Sequence, residues 1–190
     1  ADLAVWEHAE NALVVGYVPS ARALAARGQN IVEFPGGWKL QGLVKAMRPH
    51  QWVKNVLLLL AMIAAHRFDL ETLLPILLGI VAFSAAASSI YIVNDLLDLE
   101  ADRLHPTKCR RPFASGEVPI VAGMAAFGGL ALLALGLAIA LNWAFFGVIV
   151  LYMAISLAYS LKLKRMRWVD VAMLASLYTI RGIAGAAAGA

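Results

Sequence analysis

From residue 51 onward, long apolar runs alternate with short polar connections. Apolar runs cover residues 51–66, 72–93, 118–141 and 143–161, and a fifth starts near Val169. A helix crossing hydrocarbon needs about 20 apolar residues. Each run therefore predicts a span, the first slightly short. Just upstream, KLQGLVKAMRPHQWVKN is basic, with Leu40, Leu43, Val44 and Met47 at helical spacing. That pattern predicts an amphipathic helix on the membrane surface. Residues 1–38 read differently. ADLAVWEHAENA and SARALAARG have helical character, while ALVVGY and QNIVEF are short strand-like runs bounded by glycine or proline.

The expected fold is therefore an all-α, polytopic transmembrane helical bundle of about five spans, residues 39–190, preceded by a small α/β remnant, residues 1–38. Thirty-eight residues are too few to form an α/β domain alone. The chain starts without methionine and stops inside an apolar run, so it is expected to be a piece of a longer protein.

Composition supports the membrane reading. The chain is 62% hydrophobic and 15% charged, where a soluble domain carries about 25% charge. One cysteine, Cys109, excludes an internal disulfide or a cysteine-built zinc site. His8, His50, His66 and His105 form no metal-ligand pair. No basic start followed by an apolar core marks a signal peptide. No nucleic-acid partner is expected. The bases are clustered. Lys39, Lys45, Arg48 and Lys54 precede span one; Arg103, Lys108, Arg110 and Arg111 follow span two; Lys162, Lys164, Arg165 and Arg167 follow span four. With five spans, all three clusters fall on one side, and the other side's short loops hold only Arg67. By the positive-inside rule, the N-terminus and the loop after span two are cytoplasmic, in a cell inner (plasma) membrane.

That loop carries the chemistry. In NDLLDLEADRLHPTKCRRPFASG, Asn94, Asp98 and Asp102 are spaced i, i+4, i+8, and Asp95 is adjacent. On one continuous helix they share a face. Such oxygen donors suit Mg²⁺ with phosphate oxygens. Lys108, Arg110 and Arg111 suit a diphosphate. The plainer alternatives are a solvated helix end and ordinary positive-inside anchors. Lys54 reads as a snorkelling lysine, whereas Asn55 should face the bundle interior. Trp52 and Tyr159 fit an interfacial belt, and Lys162 closes span four. Asp170 is placed to cap span five or to pair with a base. Arg181 lies about 18 Å along that span, where it needs an acid partner or a substrate phosphate. The glycines and alanines read as packing surfaces.

NDLLDLEADRLHPTKCRRPFASG resembles the first Asp-rich motif of the UbiA superfamily of intramembrane prenyltransferases. The resemblance extends over about residues 40–190 and implies a bundle with a cytoplasm-facing cavity. There, two Asp-rich motifs hold Mg²⁺ and a substrate diphosphate. It implies Asn94, Asp95, Asp98 and Asp102 as metal residues, with catalysis resting on Asp95, Asp98 and Asp102. Substrate binding falls to Asn94, Lys54, Asn55, Lys108, Arg110, Arg111, Tyr159, Lys162 and Arg181. RPHQWVKN and DRLHPTKCRRPFASG resemble more narrowly the decaprenyl-phosphate phosphoribosyltransferase branch. That branch moves 5-phosphoribose from phosphoribosyl diphosphate to polyprenyl phosphate, a step in cell wall biosynthesis. The alternative is transfer of a polyprenyl group from its diphosphate to an aromatic or other lipophilic acceptor. A transporter or structural membrane protein would explain Arg181 but not the register of acids and bases. Residues 1–38 resemble the end of a haloacid-dehalogenase-like hydrolase domain, with Asp2 matching one acid of its last motif. The second Asp-rich motif of the superfamily is expected downstream, so this piece alone should be inactive.

Overall fold

The computed structural model describes residues 11–15, 30–34, 37–161 and 167–189. Contacts divide the chain into two units, Ala1–Lys39 and Leu40–Ala190, each described by itself. In the first, strand β1 (Asn11–Val15) pairs in parallel with β2 (Asn30–Phe34), from Asn11 opposite Asn30 to Val15 opposite Phe34. Both strands carry the β-branched residues that favour a pleated surface. The expected helix over residues 20–28, Asp2 and residues 1–10 of the other expected helix lie outside the described residues, while Asn11 and Ala12, expected to end that helix, belong to β1.

The second unit is helical among its described residues. Helix α1 (Leu40–Ala46) leads to a 3₁₀ helix (Pro49–Leu58) that runs into α2 (Leu59–Ala64). Then follow α3 (Leu70–Leu97), α4 (Leu99–Leu104), α5 (Ile120–Leu141), α6 (Trp143–Leu161) and α7 (Arg167–Ala188). Among the described residues, α3, α5 and α6 are long and apolar enough to cross a membrane.

Helix α3 is the centre of the bundle. Residues 82–90 are all buried, so no face of that stretch is turned outward. Small side chains make this possible: Ala82, Ser84, Ala85, Ala86, Ala87, Ser88 and Ser89 let neighbouring helices approach. Phe83 fills the remaining space against Tyr152 of α6, with ring centroids 4.4 Å apart. Helices α5 and α6 turn large apolar side chains such as Val121, Leu132 and Leu151 outward, as lipid contact requires. Asp69 caps α3, its Oδ1 accepting from the Thr72 N–H at 2.8 Å. Hydrogen bonding from Thr72 holds that carboxyl below its usual range.

The first expected span departs from a plain α-helix. The ten-residue 3₁₀ helix Pro49–Leu58 begins two residues before it, and the next six residues, Leu59–Ala64, are α-helical. At about 2.0 Å and 1.5 Å per residue the two pieces reach about 29 Å, close to the hydrocarbon thickness. The short run therefore gains length by tighter winding. At the join, Gly185 of α7 packs directly on the Leu58 carbonyl, where a Cβ would overlap it.

Two expectations are corrected. The Asp-rich stretch is not one unbroken helix: Asp98, with φ −89° and ψ 4°, closes α3 and opens α4. Asp170 does not stand at the start of its helix: α7 begins three residues earlier, at Arg167. The end of α4 falls as expected, at the extended His105 before Pro106.

Candidate functional site

Below the loop that follows α4, Ala46, Ile92, Phe113 and Val118 form a small buried cluster. It ties α1, the end of α3, that loop and the start of α5 together. Phe113 anchors the loop by packing on Gly123, where a Cβ would strike the Phe113 ring. Above it, the His105 ring holds the turn: Nδ1 accepts from the N–H groups of Thr107 (3.3 Å) and Lys108 (3.4 Å). Gly116, at φ 79°, reverses the chain toward α5 in a backbone region that other residues rarely adopt.

These supports frame a cleft of about 410 Å³. Lys45, Arg48 and His50 line one wall, and Thr107, Lys108, Arg110, Arg111 and Pro112 line the other. Asp95 is the acid lining it. Asp95 is 3% exposed and binds both walls. Its Oδ1 accepts from Arg48 Nη2 at 2.7 Å and from Arg111 Nη1 at 3.2 Å. The same Arg111 nitrogen donates to Asp102 Oδ2 at 2.6 Å. One guanidinium thus bridges Asp95 and Asp102. The break at Asp98 leaves this convergence intact, because Asp98 N–H bonds Asn94 O and Asp102 N–H bonds Asp98 O across it. Arg48 is fixed further by the Tyr91 ring, 5.0 Å from its Cζ. Its own backbone is left-handed, φ 53° and ψ 57°, a conformation that persists only where the surroundings enforce it.

The oxygen donors are hard and suit Mg²⁺. Asn94 Oδ1 is buried without a hydrogen-bond partner among the described residues, an acceptor oxygen in want of a cation or donor. In this arrangement Asp95 and Asp102 face arginines, and no three His, Cys, Asp or Glu side chains among the described residues form a ready cation site.

The remaining predicted residues separate from the cleft. Asn55 lies in the bundle interior, as expected: its Nδ2 donates to Ser84 Oγ at 2.9 Å and its Oδ1 accepts from Arg181 Nε at 3.1 Å. Arg181 finds this amide, the Leu177 carbonyl at 2.9 Å and the rings of Phe83, Tyr152 and Tyr178 within 5.8 Å. No carboxylate pairs with it among the described residues. Lys54 is half-buried and is not part of the cleft lining. Tyr159 sits in the last turns of α6, and Lys162 lies outside the described residues. Trp52, expected in the interfacial belt, donates to Ser88 Oγ at 2.9 Å, and Ser88 in turn donates to the Met47 carbonyl.

Lys45, Arg48, His50 and Thr107 join the cleft although the spacing of acids and bases does not single them out. The polar cluster Arg48-Pro49-His50 at the mouth of an apolar run is the signal that could have found them.

The model of the UbiA prenyltransferase family matches residues 55–190, well over half of the chain.

The chain belongs to the UbiA prenyltransferase family.

Decaprenyl-phosphate phosphoribosyltransferase of Mycobacterium tuberculosis is 42% identical over 173 residues, covering 84% of this chain and 55% of that protein. The uncharacterised protein y4nM of Sinorhizobium fredii is 34% identical over 189 residues, covering 97% of this chain and 37% of its own length. A UbiA homologue from Archaeoglobus fulgidus, bound to GPP and Mg²⁺, shares the fold with a TM-score of 0.63 at 24% identity. That match covers 78% of this chain and 54% of the homologue. The chain spans about half the length, or less, of the relatives it matches. Its apolar helices and its family make it a multi-pass membrane protein.

Proposed function

We propose that the full-length protein is a Mg²⁺-dependent intramembrane transferase that moves 5-phosphoribose from phosphoribosyl diphosphate to a polyprenyl phosphate. The observation that carries this reading is the basic cleft closed over Asp95 by Arg48 and Arg111. The 42% identity to a decaprenyl-phosphate phosphoribosyltransferase favours phosphoribose as the group moved. Asp95, Asp98 and Asp102, with the Asn94 oxygen, would hold Mg²⁺, which would neutralise diphosphate charge.

Residues of this chain account for the rest. Lys108, Arg110 and Arg111 hold the diphosphate and stabilise it as the ribose C1–O bond breaks and pyrophosphate leaves. The lipid phosphate oxygen forms the new bond to C1, so no side chain serves as nucleophile. Arg111 is placed to exchange its two carboxylates for phosphate oxygens, since a guanidinium fork matches both. The bundle's apolar exterior and core accommodate the lipid chain. The cleft faces the cytoplasm of a cell inner (plasma) membrane, following the positive-inside distribution.

The description of the family as prenyltransferases favours a second reading. In it, the cleft grips an isoprenoid diphosphate, and an aromatic acceptor attacks the allylic carbon. The test uses full-length protein in membranes with labelled phosphoribosyl diphosphate, polyprenyl phosphate and Mg²⁺. Labelled lipid is expected, and Asp98→Asn abolishes it. No labelled lipid, with transfer from a prenyl diphosphate to an aromatic acceptor instead, moves the protein to the second reading.

A further inference from the structure

The cleft has two basic walls of different origin. One comes from the α1–3₁₀ junction and carries Lys45, Arg48 and His50; the other comes from the loop after α4 and carries Lys108, Arg110 and Arg111. Asp95 stands between them and spends its Oδ1 on an arginine from each. Asp95 and Asp102 are the acids that meet these two arginines. Lys45, Lys108 and Arg110 make no ion pair among the described residues. Each bound arginine commits a single nitrogen to its carboxylates, leaving most of its five N–H groups for a ligand. Five permanent cations are more than one diphosphate needs, and Asp95 stands between the two groups that supply them.

Resting on the phosphoribosyl-transfer reading, we infer that the Lys45–Arg48–His50 wall is a phosphomonoester subsite, separate from the diphosphate subsite at Lys108, Arg110 and Arg111. A phosphomonoester carries about −1.5 to −2 charges at neutral pH, which matches Lys45 and Arg48 together. The strained left-handed backbone of Arg48 aims its guanidinium across to Asp95, so this wall is set before any ligand arrives. Two sources offer that chemistry: the 5-phosphate of the sugar donor and the headgroup of the polyprenyl phosphate. Helix α1 exposes Leu40 and Val44 beside Lys45, so a headgroup at the membrane surface reaches the wall as readily as a sugar phosphate.

The experiment measures dissociation constants for full-length protein in lipid nanodiscs with Mg²⁺. Its probes are pyrophosphate, ribose 5-phosphate and a short-chain polyprenyl phosphate. Lys45 is exposed, so Lys45→Gln leaves folding intact, and Lys45→Arg serves as the charge-keeping control. Lys45→Gln is expected to weaken one monoester about tenfold, the size of one charge-assisted hydrogen bond, while pyrophosphate binding stays unchanged. Lys108→Gln is expected to do the reverse. Selective loss of ribose 5-phosphate assigns the wall to the sugar; selective loss of the lipid assigns it to the acceptor. Equal weakening of all three probes, or of none, overturns the subsite. Wild-type protein that uses no phosphoribosyl diphosphate, yet loses the lipid probe selectively in Lys45→Gln, overturns the phosphoribosyl reading and leaves the subsite standing.

Discussion

Arg181 is 5% exposed and lies in the interior of α7, yet it meets amide and aromatic groups instead of an acid. An arginine at the centre of a span costs about 2.5–3.5 kcal/mol to insert. One charged hydrogen bond returns about 1.5–3 kcal/mol, and a desolvated ring face adds about 2 kcal/mol. Two hydrogen bonds and three rings therefore offset the insertion cost. Arg181→Met is expected to destabilise full-length protein by about 1–3 kcal/mol, because it strands the buried Asn55 Oδ1. Adding Asn55→Leu should recover part of the loss, since the stranded amide is then removed and Ser84 Oγ gives up one hydrogen bond in exchange. A double-mutant cycle by denaturation in nanodiscs checks this, and additive effects of the two substitutions would refute the coupling. The depth of Arg181 was readable from its place in the fifth apolar run. Its partner was not, because Asn55 is 126 positions away and an amide carries no charge to suggest the pairing. The same distance problem hid Arg48: 47 positions separate it from Asp95.

At the level of elements, the sequence made α3, α5 and α6 plain because their apolar runs exceed what a soluble helix would carry. The two strands were visible in β-branched runs. The 3₁₀ winding of Pro49–Leu58 was not, since its apolar residues fit either winding and the segment packs on α3 and α7, far away in sequence. The Asp-rich register suggested one helix; the break at Asp98 changes the helix and keeps the convergence on Arg111. Along the first span, Arg48–Asp95, Trp52–Ser88 and Asn55–Ser84 join the 3₁₀ helix to α3 in a polar ladder running inward from the cleft. Helix α7 is pressed against the same segment, with Gly185 on the Leu58 carbonyl. Gly185→Ala should cost about 1–3 kcal/mol through overlap with the Leu58 carbonyl. Gly128→Ala, which meets nothing within 4 Å, should be neutral or slightly stabilising. Thermal unfolding of both variants decides it: equal effects would mean that α7 does not rest on Leu58.

Across the helical unit, the two ends differ in charge, and that difference sets an orientation. Arg48, Asp95, Lys108, Arg110 and Arg111 gather at the end where α3 finishes. At the other end stand Arg67 and Asp69, where α3 begins, and Asn142, whose Nδ2 donates to the Ala187 carbonyl at 2.7 Å. That bond places the α5–α6 turn beside the last residues of α7, and Gly189 lies near Thr72 and Ile76 of α3's first turns. Among the described residues the cleft end thus holds several bases against one at the opposite end, so by the positive-inside rule the cleft is expected to face the cytoplasm. Cys109 tests this directly. It sits between Lys108 and Arg110 at the cleft, half-buried, with Sγ 3.5 Å from the Pro106 carbonyl. In full-length protein keeping Cys109 as its only thiol, a membrane-impermeant maleimide should label inside-out vesicles and spare right-side-out ones. Adding phosphoribosyl diphosphate with Mg²⁺ should slow the labelling, because Lys108 and Arg110 would then be drawn onto phosphate on either side of the thiol. Labelling of right-side-out vesicles would invert the orientation. Labelling that ignores the ligand would place the diphosphate away from this loop, and Lys108, Arg110 and Arg111 would then have no part in holding it.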